Sequence, residues 1–198
     1  MLSIKPMLLS LALCIGMAGL NPSMASAQGT KVIVIDSAKI VRDSKAGTDI
    51  RTKLQSIENG MRTELQPTAD ALTTELKTLE ARYGAMTPEA RRTDVSLRTE
   101  LENYSRKENE FKRQNQIMSQ ELALTRQKAW VDFRVALNPV LQEVINEQSA
   151  DLMIDRANAV YAGQTIDVTS FVISKLDAAT PTVSVVRQKL PAQPAAAQ

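Results

Sequence analysis

Between residues 48 and 148 apolar side chains recur every three or four positions. Ile50, Leu54, Ile57 and Met61 open the series, which resumes after Leu65 at Ala69, Leu72, Leu76, Leu79 and Tyr83. A 3.5-residue period predicts one long helix carrying a coiled-coil seam. The run stops at "RYGAMTPEA", where Gly84 suits a helix C-terminus and Thr87 with Pro88 suits a restart, as cap and first helical residue. A second seam then runs through Leu97, Leu101, Tyr104, Glu108, Phe111, Asn115, Met118, Leu122, Thr125 and Ala129. Two seams joined by a short Gly/Pro break predict an α-helical hairpin.

Two positions of the second seam, Glu108 and Asn115, are polar. Such residues either set the register at some cost in stability or leave the hairpin loose. At 1.5 Å per residue the first arm, residues 48–83, spans about 50 Å, and the second, residues 89–148, reaches about 90 Å. The surplus coincides with "WVDFRVALNPVLQEVI", whose broad apolar face marks entry into a packed body. Pro67 removes an amide donor and crowds the carbonyl of Thr63, and Pro139 does the same to Val135. Each is expected to kink its helix, and Pro67 is read as a hinge.

Strand patterning is confined to the two flanks of the hairpin. In "KVIVID" the apolar residues alternate onto both faces, Val32 and Val34 one way and Ile33 and Ile35 the other, so both faces must be covered. "DLMIDRANAVYAGQTIDVT" places Leu152 and Ile154 opposite Met153, then a Gly-bearing turn at Tyr161-Ala162-Gly163-Gln164, then Ile166 and Val168 on a return strand. A final helix is predicted from about Thr169, with Phe171, Val172, Ile173 and Leu176 as its apolar residues. The fold class is therefore α+β: a small body of three strands from both chain ends, with the long hairpin inserted between them. One chain offers little to cover both faces of such a sheet, which predicts oligomerisation through it, with Val32, Val34, Leu152, Ile154, Ile166 and Val168 as packing residues.

The chain begins "MLSIKPMLLSLALCIGMAGLNPSMASAQ", with Lys5, an apolar run, the breaker Asn21-Pro22, and Ala25-Ser26-Ala27. This is the pattern of a secretory signal peptide cleaved after Ala27. The apolar run is shorter than the roughly 20 residues of a spanning helix, and Leu13 rather than a small residue precedes Cys14, against lipidation. Cleavage removes the single cysteine, and with it disulfides and thiolate chemistry. Histidine is absent too, so an enzyme would work with carboxylates, Lys, Ser or Tyr. Without Lys5 the 24 Lys and Arg become 23 against 22 Asp and Glu, a near-neutral balance that disfavours nucleic acid as a partner. From Thr180 the Pro, Ala and Gln content predicts a solvated tail. The resulting division is residues 1–27 as signal peptide, 28–47 with 138–179 as oligomerisation body, 48–137 as hairpin and 180–198 as disordered tail.

These residues resemble a known family. A signal peptide, "VIVIDSAKIVRDSKAG" read as strand, short helix and a break at Ser44 to Gly47, a long hairpin, and "ADLMIDRANAVYAGQTIDVTSFVISKL" are together similar to the Skp (OmpH) periplasmic chaperones. The similarity covers the mature chain to about Asp177, and its most specific part is the C-terminal "DLMID…NAVYAG…IDVT" segment. It implies a homotrimer with a shared β body and three helical tentacles that hold unfolded outer-membrane β-barrel proteins, with no catalysis and no cofactor. Well-known relatives are strongly basic, whereas this chain is not, so the electrostatic share of client capture is expected to be smaller. The lipopolysaccharide site proposed for some relatives has no motif in these residues.

A barrel chain must be kept from pairing its strand edges with another copy, and enclosure between mobile arms achieves this through many weak contacts. No GxxxxGK[ST] loop is present, consistent with release without ATP. Tyr83, Met86, Arg91 and Arg92 near the tip are the client-binding candidates, with a solvated helix start as the plainer account of the arginines. Leu72, Leu76, Leu79, Leu97 and Leu101 are assigned to hairpin core. The competing function is a structural or adaptor coiled coil of the cell envelope. An enzyme has no positive support, since Asp36, Asp155 and Asp167 are accounted for as strand-end or cap residues.

Overall fold

The computed structural model describes residues 29–191; the signal peptide read over residues 1–27 lies outside them. Strand β1 (Val32–Ile35) leads into helix α1 (Ser37–Asp43), and α2 (Lys45–Ala85) forms the outgoing arm. A short α3 (Pro88–Thr93) crosses the tip, α4 (Val95–Glu147) returns, and β2 (Leu152–Asp155) and α5 (Thr169–Ala179) complete the body. At 1.5 Å per residue the 41 residues of α2 extend about 60 Å and the 53 of α4 about 80 Å. Both helices run unbroken through Pro67 and Pro139.

The two strands pair in parallel, Val32 with Leu152 through Ile35 with Asp155, so the sheet joins segments separated by the whole hairpin. Ile33 and Ile35 turn into a core built from α1 (Ile40), α2 (Ile50, Leu54), α4 (Phe133, Leu137, Val140, Val144) and α5 (Val172, Leu176). The apolar thickening after residue 130 is thus the part of α4 that enters the body. Trp130 packs edge-on to Phe133 there, with ring centroids 5.7 Å apart.

Two strand expectations are corrected. The return strand is a single bridge, Asp167 beside Val34, and it lies along β1 rather than along β2, with the Val168 amide donating to the Val34 carbonyl at 2.9 Å. Its residues are spent on turns: 3₁₀ turns occupy Arg156–Asn158 and Gln164–Ile166. An Arg156 to Asp167 ion pair at 2.9 Å clips the two turns together. The Asp167 carboxylate also accepts the Thr169 amide at 2.9 Å, turning the chain into α5. Second, β1 is covered on both faces within one chain, Ile33 and Val34 each being 2% exposed. Uncovered apolar surface includes β2 and its sequel, where Leu152 is exposed, Ile154, Ile166 and Val168 are half-buried and Val160 and Tyr161 stand in solvent, as well as Val135 on α4 and Phe171 on α5; Val32 of β1 is half-buried.

Asp36 caps α1 by accepting the Lys39 amide at 2.7 Å, and Ser44 both ends α1 and caps α2 through the Gly47 amide. The expected break over residues 44–47 therefore contracts to Ser44. A Cβ on Gly47 would lie 1.9 Å from the Val41 carbonyl oxygen, so only glycine lets α2 pass the end of α1 this closely. At the tip Thr87 caps the helix begun by Pro88, as expected, but Asp94 stops it again and caps α4 through the Leu97 amide at 2.9 Å.

The largest correction concerns the C-terminal segment. Residues 181–191 are not a solvated tail but lie against both arms; the remaining seven residues fall outside the described part. Val183 joins the core, its amide donating to Asp49 at 3.0 Å and its carbonyl accepting from Lys53 at 2.8 Å. Arg187 reaches Glu64 on α2 at 2.9 Å and Glu121 on α4 at 2.8 Å. Composition missed this because small polar residues and prolines are as compatible with an extended strap as with a loose end.

Gly47→Ala tests the α1/α2 crossing. It is expected to cost about 2 kcal/mol or more, because the clash is with backbone, and to lower the urea midpoint with little change in slope.

Candidate functional site

The candidate site of the hairpin is the surface of the arms, which differs along their length. Ion pairs cross between the arms from Glu58 to Arg126 at 2.8 Å, Glu75 to Lys107 at 2.9 Å and Arg82 to Glu100 at 2.6 Å. They step along the arms in one antiparallel register, which sets Pro67 level with Asn115. Near the body the seam is closed by Ile50, Leu54 and Met61 from α2 and Thr125, Ala129 and Phe133 from α4.

The middle is different. Between Met61 and Leu72 on α2, and between Leu97 and Glu121 on α4, no residue is fully buried. A groove of about 340 Å³ opens there, where Met61, Leu65, Ala69, Phe111, Met118 and Leu122 are interleaved with polar Glu58, Arg62, Gln66, Asn115 and Ser119. Asn115 is exposed and Glu108 pairs with Lys112 on its own helix at 2.8 Å. Among the described residues neither polar seam position bonds across to α2, so of the two readings of these residues the geometry fits the loose one. Pro67, the proposed hinge, is exposed beside this slack stretch.

At the tip two of the four candidates, Tyr83 and Arg91, are in contact. Tyr83 is 47% exposed, and Arg91 lies over its ring at 4.3 Å while donating to its carbonyl at 2.9 Å. Met86, half-buried, ends α2, and Arg92 is exposed. Arg91 therefore caps the helix as well as presenting charge. Sequence reasoning overlooked Arg82, which grips Glu100 on α4 and, at 2.8 Å, Asp94 at the helix restart. The Leu97 amide and Arg82 hold the Asp94 carboxyl below its usual range, and Arg82 and Ser96 do so for Glu100. Also overlooked was Glu121, a 6% exposed carboxylate facing Arg187; its signal lay in pairing it with a segment read as solvated.

The three strand-end carboxylates are occupied as expected. Asp36 and Asp167 serve α1 and α5, and Asp155 accepts the Ala157 amide at 2.9 Å. Among the described residues no helix is long and apolar enough to cross a membrane.

The protein family described as outer membrane protein (OmpH-like) matches residues 31–176, from the first strand to the core face of α5. The chain belongs to the OmpH-like family. The architecture also matches the crystal structure of an OmpH-like protein from Caulobacter crescentus CB15, described as a candidate outer membrane chaperone, with a TM-score of 0.72 and 27% identity. That match covers 83% of this chain and 94% of the other, so body and hairpin are shared as one unit. Among curated proteins none matches the chain.

The tip cluster has a pH signature. Because Asp94 and Glu100 have carboxyls depressed below 3.8 and 4.5, their contribution is complete above those values and disappears as pH falls through the lower folded ones. Amide protection over residues 82–100, taken relative to intrinsic exchange rates, is expected to fall below about pH 4, and Arg82→Ala is expected to weaken that pH dependence while leaving the share that the Leu97 amide gives Asp94.

Proposed function

We propose that this OmpH-like chain is a periplasmic, ATP-independent holdase that encloses unfolded outer-membrane β-barrel proteins and prevents their aggregation. The observation that carries the reading is the hairpin itself: two long arms rooted in a packed body, with a slack middle that mixes apolar and polar side chains. Such a surface suits many weak contacts with an unfolded chain, each easily released. A client needs no tight pocket, because separating its strand edges from those of other copies suffices. Mobile arms also let one chaperone adapt to clients of different size, which a rigid cleft would not.

Enclosure requires more than one hairpin, so the reading includes a homotrimer whose bodies meet through the surface a single chain leaves open. Leu152, Val160 and Tyr161 are large apolar groups exposed on one continuous stretch, and Val32, Ile154, Ile166 and Val168 are half-buried beside β1 and β2. Val34, buried already within the chain, belongs to body packing. Export through a cleaved signal peptide places the protein where barrel precursors pass. In the arms, Tyr83, Met86, Arg91 and Arg92 offer apolar and cationic contacts at the tip, and Pro67 lets the outer half bend. Proline removes one backbone hydrogen bond at the level where α4 presents Asn115 rather than an apolar partner, so the two weakest points of the hairpin coincide.

Native mass spectrometry of the mature chain, with and without a urea-unfolded outer-membrane barrel protein, tests the reading. A trimer binding one client is expected; a monomer without client overturns it. Ile154→Asp, which forces a charge into the β2 face, is expected to abolish the trimer and the holding activity together. Pro67→Ala restores an amide donor to α2 and is expected to narrow spin-label distances between Thr78 and Asn103; identical distributions in both proteins would remove the hinge.

A further inference from the structure

The C-terminal strap has the chemistry of an unfolded chain caught in the act. From Val183 to Arg187 it alternates: Val183, Val185 and Arg187 turn toward the arms, while Ser184 and Val186 face solvent, Val186 being 65% exposed. This is the period of two that an extended segment shows against a surface, and that a transmembrane β-strand carries along its length. No helix or strand is formed, and no strand of the body pairs with it.

How the arms hold it matters more than what they hold. The amides of Val183, Gln188 and Leu190 donate to Asp49 (3.0 Å), Thr125 (2.9 Å) and Glu121 (3.2 Å), and the Val183 carbonyl accepts from Lys53 (2.8 Å). All four contacts are made by arm side chains to backbone groups that any extended polypeptide offers. The side chains read are those of Val183 and Val185 against the core and of Arg187 with Glu64 and Glu121. Glu121 is a buried acid whose described cationic partner comes from the strap itself, so the cleft is complementary to a basic residue on whatever occupies it.

We propose that the cleft between the arm roots is a binding site for an extended, alternately apolar peptide bearing a basic residue, and that residues 181–191 fill it in cis as a surrogate that an unfolded client displaces. The inference rests on the holdase reading for the identity of the competitor. The strap then keeps the cleft covered in the empty protein, and its release makes client entry an exchange of like for like.

The test uses the full mature chain, which lacks the single Cys14, with nitroxides on Lys189→Cys and Gln127→Cys, both exposed. Excess free peptide with the sequence of residues 181–191 is expected to shift the pair to longer distances, and a urea-unfolded barrel protein is expected to do the same. A strap that stays in place at saturating peptide overturns the exchangeable site. A barrel protein that binds without moving the labels overturns the surrogate role while leaving the holdase reading intact. Displacement by peptide but no binding of the barrel protein overturns the holdase reading and the named competitor together, leaving a peptide site. Arg187→Ala, which loosens the strap without entering the core, is expected to tighten barrel binding at least threefold; unchanged affinity counts against the proposal.

Discussion

Everything in this molecule hangs on the parallel pairing of Val32–Ile35 with Leu152–Asp155. Those segments are separated by the entire hairpin, and closing a flexible loop of that length would cost about 4 to 5 kcal/mol in chain entropy. Four residue pairs do not offset that on their own. The hairpin lowers the cost, because two helices zipped in register deliver the two strands to the same place. The body returns the favour: Phe133, Leu137, Val140 and Val144 of α4 are buried against β1, α1 and α5, which fixes the arm at its root. Neither part is a sound structure without the other, which is why the family match and the structural match both span the two together.

From that root outward the constraint relaxes, then returns. Near the body the arms are sealed by apolar residues, in the middle by none that is fully buried, and toward the tip by Leu72, Leu79 and Leu97 together with Arg82 bridging Asp94 and Glu100. A hairpin fastened at both ends and slack between them bends without coming apart. Exposed ion pairs contribute little to stability, so the tip clasp acts chiefly to hold register while the middle deforms.

Periodic features were legible in the residues. The seams, the restart at Thr87-Pro88, the two-sided strand "KVIVID" and the helix beginning at Thr169 all follow from spacing and capping chemistry that act within a few residues. What escaped depends on contacts distant in sequence. The return strand at Ile166 and Val168 had the right residue types, but Asp167 is claimed by Thr169 and Arg156, and the backbone turns before a strand can form. The tail escaped because its partners, Asp49, Glu64, Glu121 and Thr125, are spread over both arms. Of the tip, Arg91 meets Tyr83, but Arg82, which joins α2 to Asp94 and Glu100, sat unremarked between seam positions Leu79 and Tyr83.

The near-neutral charge of the mature chain bears on how such a protein captures anything. If the proposed cleavage removes Lys5, 23 basic side chains stand against 22 acidic ones, and long-range attraction toward an acidic client of the proposed kind is weak. Capture then rests on short-range contacts, which require the client to meet apolar surface early. A mature chain that displayed that surface permanently would bind its own copies as readily as a client. Under the proposed exchange, covering part of the arm roots with its own extended segment resolves the conflict, since a covalently attached surrogate is always at hand in the empty state and a short free peptide displaces it only in excess, whereas a long chain gains further contacts. Selectivity for long unfolded chains over short peptides then follows from multivalency rather than from charge.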